Sequence, residues 1–103
     1  MNVFTPLVAR GAKLLDKARP GWWKRTDPKT LSMGSCNNCI LGQEYADPNL
    51  PMSGYYRGTR ALDTYGEEGK YGFSDDGERW VALRRAWVAL IKSRYVDAAR
   101  RMK

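Results

Sequence analysis

Apolar positions fall at helical spacing in two long stretches of the chain and break up between them. Near the start, Leu7, Gly11, Leu14, Leu15 and Ala18 recur every three to four residues. Thr5-Pro6 pairs an N-cap residue with the imino acid favoured in the first turn, which predicts a helix over 6 to 18. Pro20-Gly21 ends it, and Trp22 and Trp23 follow directly. Asp27-Pro28 predicts a single turn through Leu31, and Ser35 is placed to cap a helix over 36 to 46 that Gly42 weakens. A proline-broken loop at 47 to 52 leads to a short helix over 53 to 64, presenting Tyr55, Thr59 and Leu62 on one side. Gly66, Gly69 and Gly72 make a loop that ends at Phe73.

The second long stretch predicts a helix over 76 to 101, opened by a capping box of Asp75 and Glu78. On a 100° wheel Trp80, Leu83, Trp87, Leu90, Ile91, Tyr95, Ala98 and Met102 fall in one broad arc. Arg79, Arg85, Lys92 and Arg100 lie outside that arc. Arg84 and Arg94 lie on or near it, so their stems run along apolar surface or their heads meet an acidic group. No stretch alternates as a strand does. The expected fold is therefore all-α: one helical domain over 1–103, its N-terminal helix packed on a long, amphipathic, basic C-terminal helix, with short helices and loops between.

Length and composition agree with one folded unit: 103 residues, 43% of them apolar and 28% charged. The absence of histidine excludes His-dependent triads, Cys-His dyads, His-rich metal sites and imidazole switches. The first 20 residues hold no signal-peptide core and no stretch long enough to span a membrane, so no membrane association is expected. Cys36 and Cys39 could close only a tiny loop and are not a secreted disulfide framework, which points to a reducing cytosol.

The net charge of +7 is unevenly laid out. From Arg79 to Lys103 there are eight basic residues against Asp97 alone, so the whole excess sits in the last quarter of the chain. Residues 10 to 29 hold seven basic and two acidic side chains, and 44 to 78 hold eight acidic and three basic. This basic, acidic, basic order either holds the fold together or leaves a basic face for an anionic partner.

Each candidate for chemistry has an ordinary structural reading beside it. Cys36-Asn-Asn-Cys39 has the spacing of a dithiol pair, but no βαβ unit surrounds it, and zinc would need two further ligands from another chain; packing thiols are the simpler reading. Gly66-Glu-Glu-Gly69-Lys-Tyr-Gly72 has the wrong sign and spacing for a phosphate loop and reads as a turn. The carboxylate pairs Glu67-Glu68 and Asp75-Asp76 read as solvated or capping groups. Trp22, Trp23, Trp80 and Trp87 read mainly as core, but adjacent tryptophans do not easily both point inward, so Trp22 or Trp23 is the candidate anchor for a partner. The C-terminal helix could lie along nucleic-acid phosphates, although Arg100, Arg101 and Lys103 also complement the helix dipole.

Gly11-Ala-Lys-Leu-Leu-Asp16, Pro20-Gly-Trp22, Leu31-Ser-Met33 and Cys39-Ile-Leu-Gly-Gln-Glu-Tyr45, in that order and spacing, resemble a group of small uncharacterised proteins encoded by actinobacterial phages and related prophages. The later Tyr71-Gly-Phe73 before a Trp-containing helix matches as well. The chain departs from the group in its second cysteine, Cys36, and in its more basic C-terminus. The resemblance implies a phage-encoded origin, hence work in a host cytoplasm, and implies no mechanism.

No nucleophile, base and orienting group can be assembled from these residue types, so an enzyme is not expected, and neither is a cofactor or metal. The expected function is binding of a host or phage macromolecule, a protein before a nucleic acid. The candidate binding residues are Trp22, Trp23, Lys24, Arg25, Arg79, Arg85, Lys92, Arg100 and Arg101. The alternative is nucleic-acid binding along the C-terminal helix. A homo-oligomer that matches basic with acidic segments is a third reading.

Overall fold

In the computed structural model, which describes residues 2–75, 77 and 79–102, the two long apolar stretches become two helices that run side by side in the same direction. Asn2 Nδ2 donates to the Ala82 carbonyl (2.7 Å) at one end of the pair, and Arg94 Nη1 reaches Asp16 Oδ1 (2.7 Å) toward the other. The elements are α1 (Thr5–Ala18), α2 (Trp22–Arg25), α3 (Ile40–Glu44), α4 (Gly54–Ala61), a 3₁₀ turn (Glu68–Tyr71) and α5 (Trp80–Arg101). The described residues contain no strand, and the all-α expectation holds.

Phe4, Val8, Ala12 and Leu15 of the first segment meet Leu83, Ala86, Trp87 and Ile91 of α5 in one core. Trp87 is its centre: Phe73 stacks on its ring at 5.8 Å, Trp22 meets it edge-on at 5.7 Å, and its Nε1 donates to the Gly72 carbonyl (2.6 Å). That hydrogen bond satisfies the ring's polar atom, which a buried tryptophan requires. The 3₁₀ turn packs onto α1 so closely that a Cβ on Gly11 would lie 2.2 Å from the Tyr71 carbonyl oxygen. α3 and α4 likewise touch backbone to backbone, since a Cβ on Gly54 would lie 2.5 Å from the Gly42 carbonyl oxygen.

Several boundaries differ from the sequence expectation, each for a local reason. Thr5 is not the N-cap of α1; Phe4 holds that position, and Asn2 secures the entry by accepting the Phe4 N–H (2.9 Å) on its side chain. The helix expected over 36 to 46 shrinks to Ile40–Glu44, because Ser35 Oγ takes the Asn37 and Asn38 N–H groups into a turn. The cap of α3 is Cys39, whose Sγ accepts the Gly42 N–H (3.2 Å). α4 is shorter than the expected 53 to 64 and closes after Ala61, where Leu62 caps it and Asp63 takes φ 56°.

α5 begins at Trp80 and not at 76. Asp75 does not cap it; its carboxylate accepts the Arg79 N–H (2.8 Å) and pairs with the Arg79 guanidinium, closing a turn just ahead of the helix. The proposed partner in the capping box, Glu78, lies outside the described residues, as do Asp76 of the carboxylate pair and Lys103 of the basic terminus. The apolar arc of α5 is buried only as far as Ile91. Tyr95 is 49% exposed and Met102 87% exposed, because the other elements stop short of the last turns of the helix. The snorkelling arginines both find partners: Arg84 donates to the Leu31 and Pro28 carbonyls (2.8 Å each), and Arg94 meets Asp16.

Candidate functional site

Gly21, with φ 79°, turns the chain from α1 into the four-residue α2, where successive side chains point about 100° apart. Trp22 and Trp23 therefore cannot share an environment. Trp22 is completely buried and donates Nε1–H to Asp16 Oδ1 (3.0 Å), so it is removed from the candidate binding residues: it is a core side chain with no surface to offer. Trp23 swings the other way, onto the exposed part of α5, and meets Tyr95 edge to face at 4.9 Å. Lys24 Nζ sits 5.2 Å from the Trp23 ring centroid, a cation–π contact at the surface.

Between Trp23 and the last turns of α5 lies a cleft of about 320 Å³ lined by Asp16, Trp23, Arg94, Asp97, Ala98 and Arg101. Arg94, Ala98 and Arg101 stand at i, i+4 and i+7, one face of the helix. Arg94 is held in place by two parallel bonds to Asp16, of 2.7 and 2.9 Å. The Arg94 guanidinium, with a smaller contribution from the Trp22 N–H, keeps the Asp16 carboxyl below the usual carboxylate range against an opposing effect of burial. Arg94 is in turn held more firmly protonated by Asp16 and, more weakly, by Asp97. The cleft thus combines the Asp16–Arg94 ion pair, the Trp23 indole, the Asp97 carboxylate and the exposed Arg101.

With Trp22 removed, the other eight sequence candidates separate into three groups. Trp23 and Arg101, 78 residues apart, come together at the cleft, and Lys24 joins them only through its contact with the Trp23 ring. Arg25 and Arg79 are already neutralised within the fold. Arg25 joins Arg19 in clasping Glu44, whose side chain is only 3% exposed, and Arg79 pairs with Asp75 and lies 4.9 Å over the Phe4 ring. Arg85, Lys92 and Arg100 are exposed on α5, and no ion pair among the described residues involves them. Arg85 and Lys92 share one stripe of the helix with the exposed Val81 and Val96.

Sequence reading passed over Asp16 and Asp97 as members of a site. The available signal was Arg94 on an apolar arc, which required an acidic group opposite it. Of the two thiols, Cys39 is buried and its pKa is pushed up to about 11 by desolvation, the opposite of an activated thiolate. Among the described residues no group of three or more Cys, Asp and Glu comes together to hold a metal ion, and no helix is long and apolar enough to cross a membrane. Compared with protein-family models, curated proteins and solved structures, the chain finds no match.

Proposed function

We propose that this chain is a phage-encoded accessory protein that acts in the host cytoplasm by binding a host or phage protein, without catalysis, through the cleft of Trp23 and Arg101. The observation that carries the reading is the meeting of Trp23, Tyr95 and Arg101 on turns of α5 that the core leaves uncovered. An aromatic anchor with an arginine at its edge is the composition of binding hot spots, and Arg101 with Lys24 beside Trp23 suits a partner that is acidic near the contact, although Asp97 also lines the cleft. The phage origin rests on the resemblance of residues 11 to 45.

The test is capture from an actinobacterial host lysate with wild-type protein, Trp23→Ala and Arg101→Glu, with and without nuclease and at two salt concentrations. One protein retained through nuclease and salt by the wild type, and lost by both folded variants, is the expected result. Recovery that is equal for all three proteins overturns the site.

The exposed stripe of Arg85 and Lys92, with Arg100 beyond it, favours a second reading, in which α5 lies along nucleic-acid phosphates. That reading expects affinity for unrelated duplexes that falls steeply as salt rises. Lysate recovery that consists only of nuclease-sensitive, salt-sensitive nucleic acid selects it over the first.

A further inference from the structure

A second cleft, of about 210 Å³, opens at the other end of α5, about 30 Å along the helix from Arg101. Its walls are the rings of Tyr55, Tyr56 and Trp80, with Met33, Gly34 and Cys36 between them. We propose that this cleft binds a free, planar, uncharged aromatic molecule of one or two fused rings.

Four observations converge on that ligand. Three aromatic side chains, two from α4 and one from α5, line one space, and Tyr55 and Tyr56 stand nearly perpendicular at 5.3 Å, so they present a ring face beside a ring edge. Flat rings pack in these two geometries. Gly34 comes closest to the five-membered ring of Trp80: a Cβ there would sit 3.6 Å from the Trp80 Cδ1 and Nε1 atoms, so the bare glycine leaves the indole accessible. None of the described residues lining the cleft is charged, in a chain that is 28% charged, so an ion would find no counter-charge there. Ser35, Ser74 and the two tyrosines bring hydroxyl groups to the cleft; Ser35 Oγ already accepts the Asn37 and Asn38 N–H groups and Tyr55 bonds Ser74, which leaves the Tyr56 hydroxyl and the Ser35 O–H to meet a ring nitrogen or hydroxyl. Burial pushes the Tyr55 hydroxyl up to about 12, so it stays a proton donor at every ordinary pH.

The cleft is held by one backbone bond and one side-chain amide. Tyr55 N–H donates to the Cys36 carbonyl (3.3 Å) and Met52 N–H to Asn37 Oδ1 (2.9 Å), which tie the entry to α4 onto the 36 to 39 turn. The volume is below that of a drug-sized pocket, about 300 Å³ and upward, which limits the ligand to one or two rings.

The test is a titration of the full chain with indole, followed by the NMR signals of the Trp80 indole N–H and the Gly34 amide. Saturable shifts confined to residues around 33 to 36, 55 to 56, 74 and 80 are expected. Gly34→Leu, which fills the space over Trp80 from an exposed position, is expected to weaken indole about tenfold while keeping a dispersed spectrum. Tyr56→Ala, at a residue 52% exposed, is a second variant that removes a wall without touching the core. Shifts that do not saturate, or that persist unchanged in whichever of these variants is folded, overturn the proposal. In a parallel arm, N-acetyltryptophanamide binding about tenfold more tightly than indole overturns the free molecule in favour of a side chain from another protein.

Discussion

Asp16 and Arg94, 78 positions apart, grip each other through two parallel bonds of 2.7 and 2.9 Å, and the same carboxylate receives the Trp22 indole N–H. One side chain thus joins α1, α2 and α5 at the base of the Trp23 cleft. Its folded pKa lies below 3.8, so its contribution to stability is complete above the unfolded value and is lost as pH falls through the lowered folded one. Asp16→Asn is expected to cost about 1 kcal/mol at neutral pH, the modest value set by solvent screening of a partly exposed pair. Urea midpoints measured from neutral pH to below about 4 should show the difference between variant and wild type shrinking on acidification.

Glu44 is the most buried carboxylate seen in an ion pair here, clasped by Arg19 and Arg25. Glu44→Gln should cost about 1–3 kcal/mol, since a neutral amide replaces charge-assisted bonds while both arginines turn to solvent. Arg19→Ala and Arg25→Ala should each be tolerated, because one guanidinium remains. The double variant strands the carboxylate and should lower the thermal midpoint by more than the sum of the single changes.

Gly11 sits in the middle of α1, where alanine is intrinsically the better helix former by about 1 kcal/mol. The 2.2 Å approach to the Tyr71 carbonyl reverses the sign. Gly11→Ala is expected to destabilise the fold by about 1–3 kcal/mol in chemical denaturation, as the 3₁₀ turn is pushed off α1.

The two tryptophans of α2 should respond differently to the same change. Trp22→Ala removes a fully buried ring from beside Trp87 and is expected to cost about 3–5 kcal/mol in stability. Trp23→Ala should leave the core folded, with its effect read in partner capture instead of in the unfolding curve.

Cys36 lies at the edge of the aromatic cleft and Cys39 is buried with its thiol pKa near 11. A chromogenic disulfide reagent is expected to modify one thiol promptly in the native protein and the second only on unfolding. Two thiols reacting together would contradict the placement of Cys39 in the core.

The long elements were legible because their apolar positions repeat for three turns or more: Gly11, Leu15, Leu83, Trp87 and Ile91 lie where the helical period puts them, although on α1 Val8 and Ala12 fill the core while Leu7 and Leu14 are only half-buried and Ala18 is exposed. The middle of the chain was not, because it is ordered by contacts that no local pattern records. Ser35 holds a turn where a helix was expected, and Gly42 and Gly54 admit a backbone contact between segments 12 positions apart. The candidate site was half legible. The adjacent tryptophans announced that one must face outward, but which one follows from Asp16 receiving the Trp22 N–H, a relation set only once α1 is formed. Charge density marked residues 10 to 29 and the C-terminal segment as basic without separating Arg25 and Arg79, which the fold pairs internally, from Arg85, Lys92 and Arg101.

The parallel pairing of α1 with α5 also sets a condition on how the protein is made. Leu83, Trp87 and Ile91 supply the wall on which Val8, Ala12 and Leu15 pack, so α1, once made, has only Trp22 and later the 3₁₀ turn to pack on until α5 follows. Contacts of such long sequence separation slow the search for the native state. A nascent chain halted before α5 would present the apolar faces of α1 and α3 to solvent, a state open to chaperones and proteases that the finished molecule escapes.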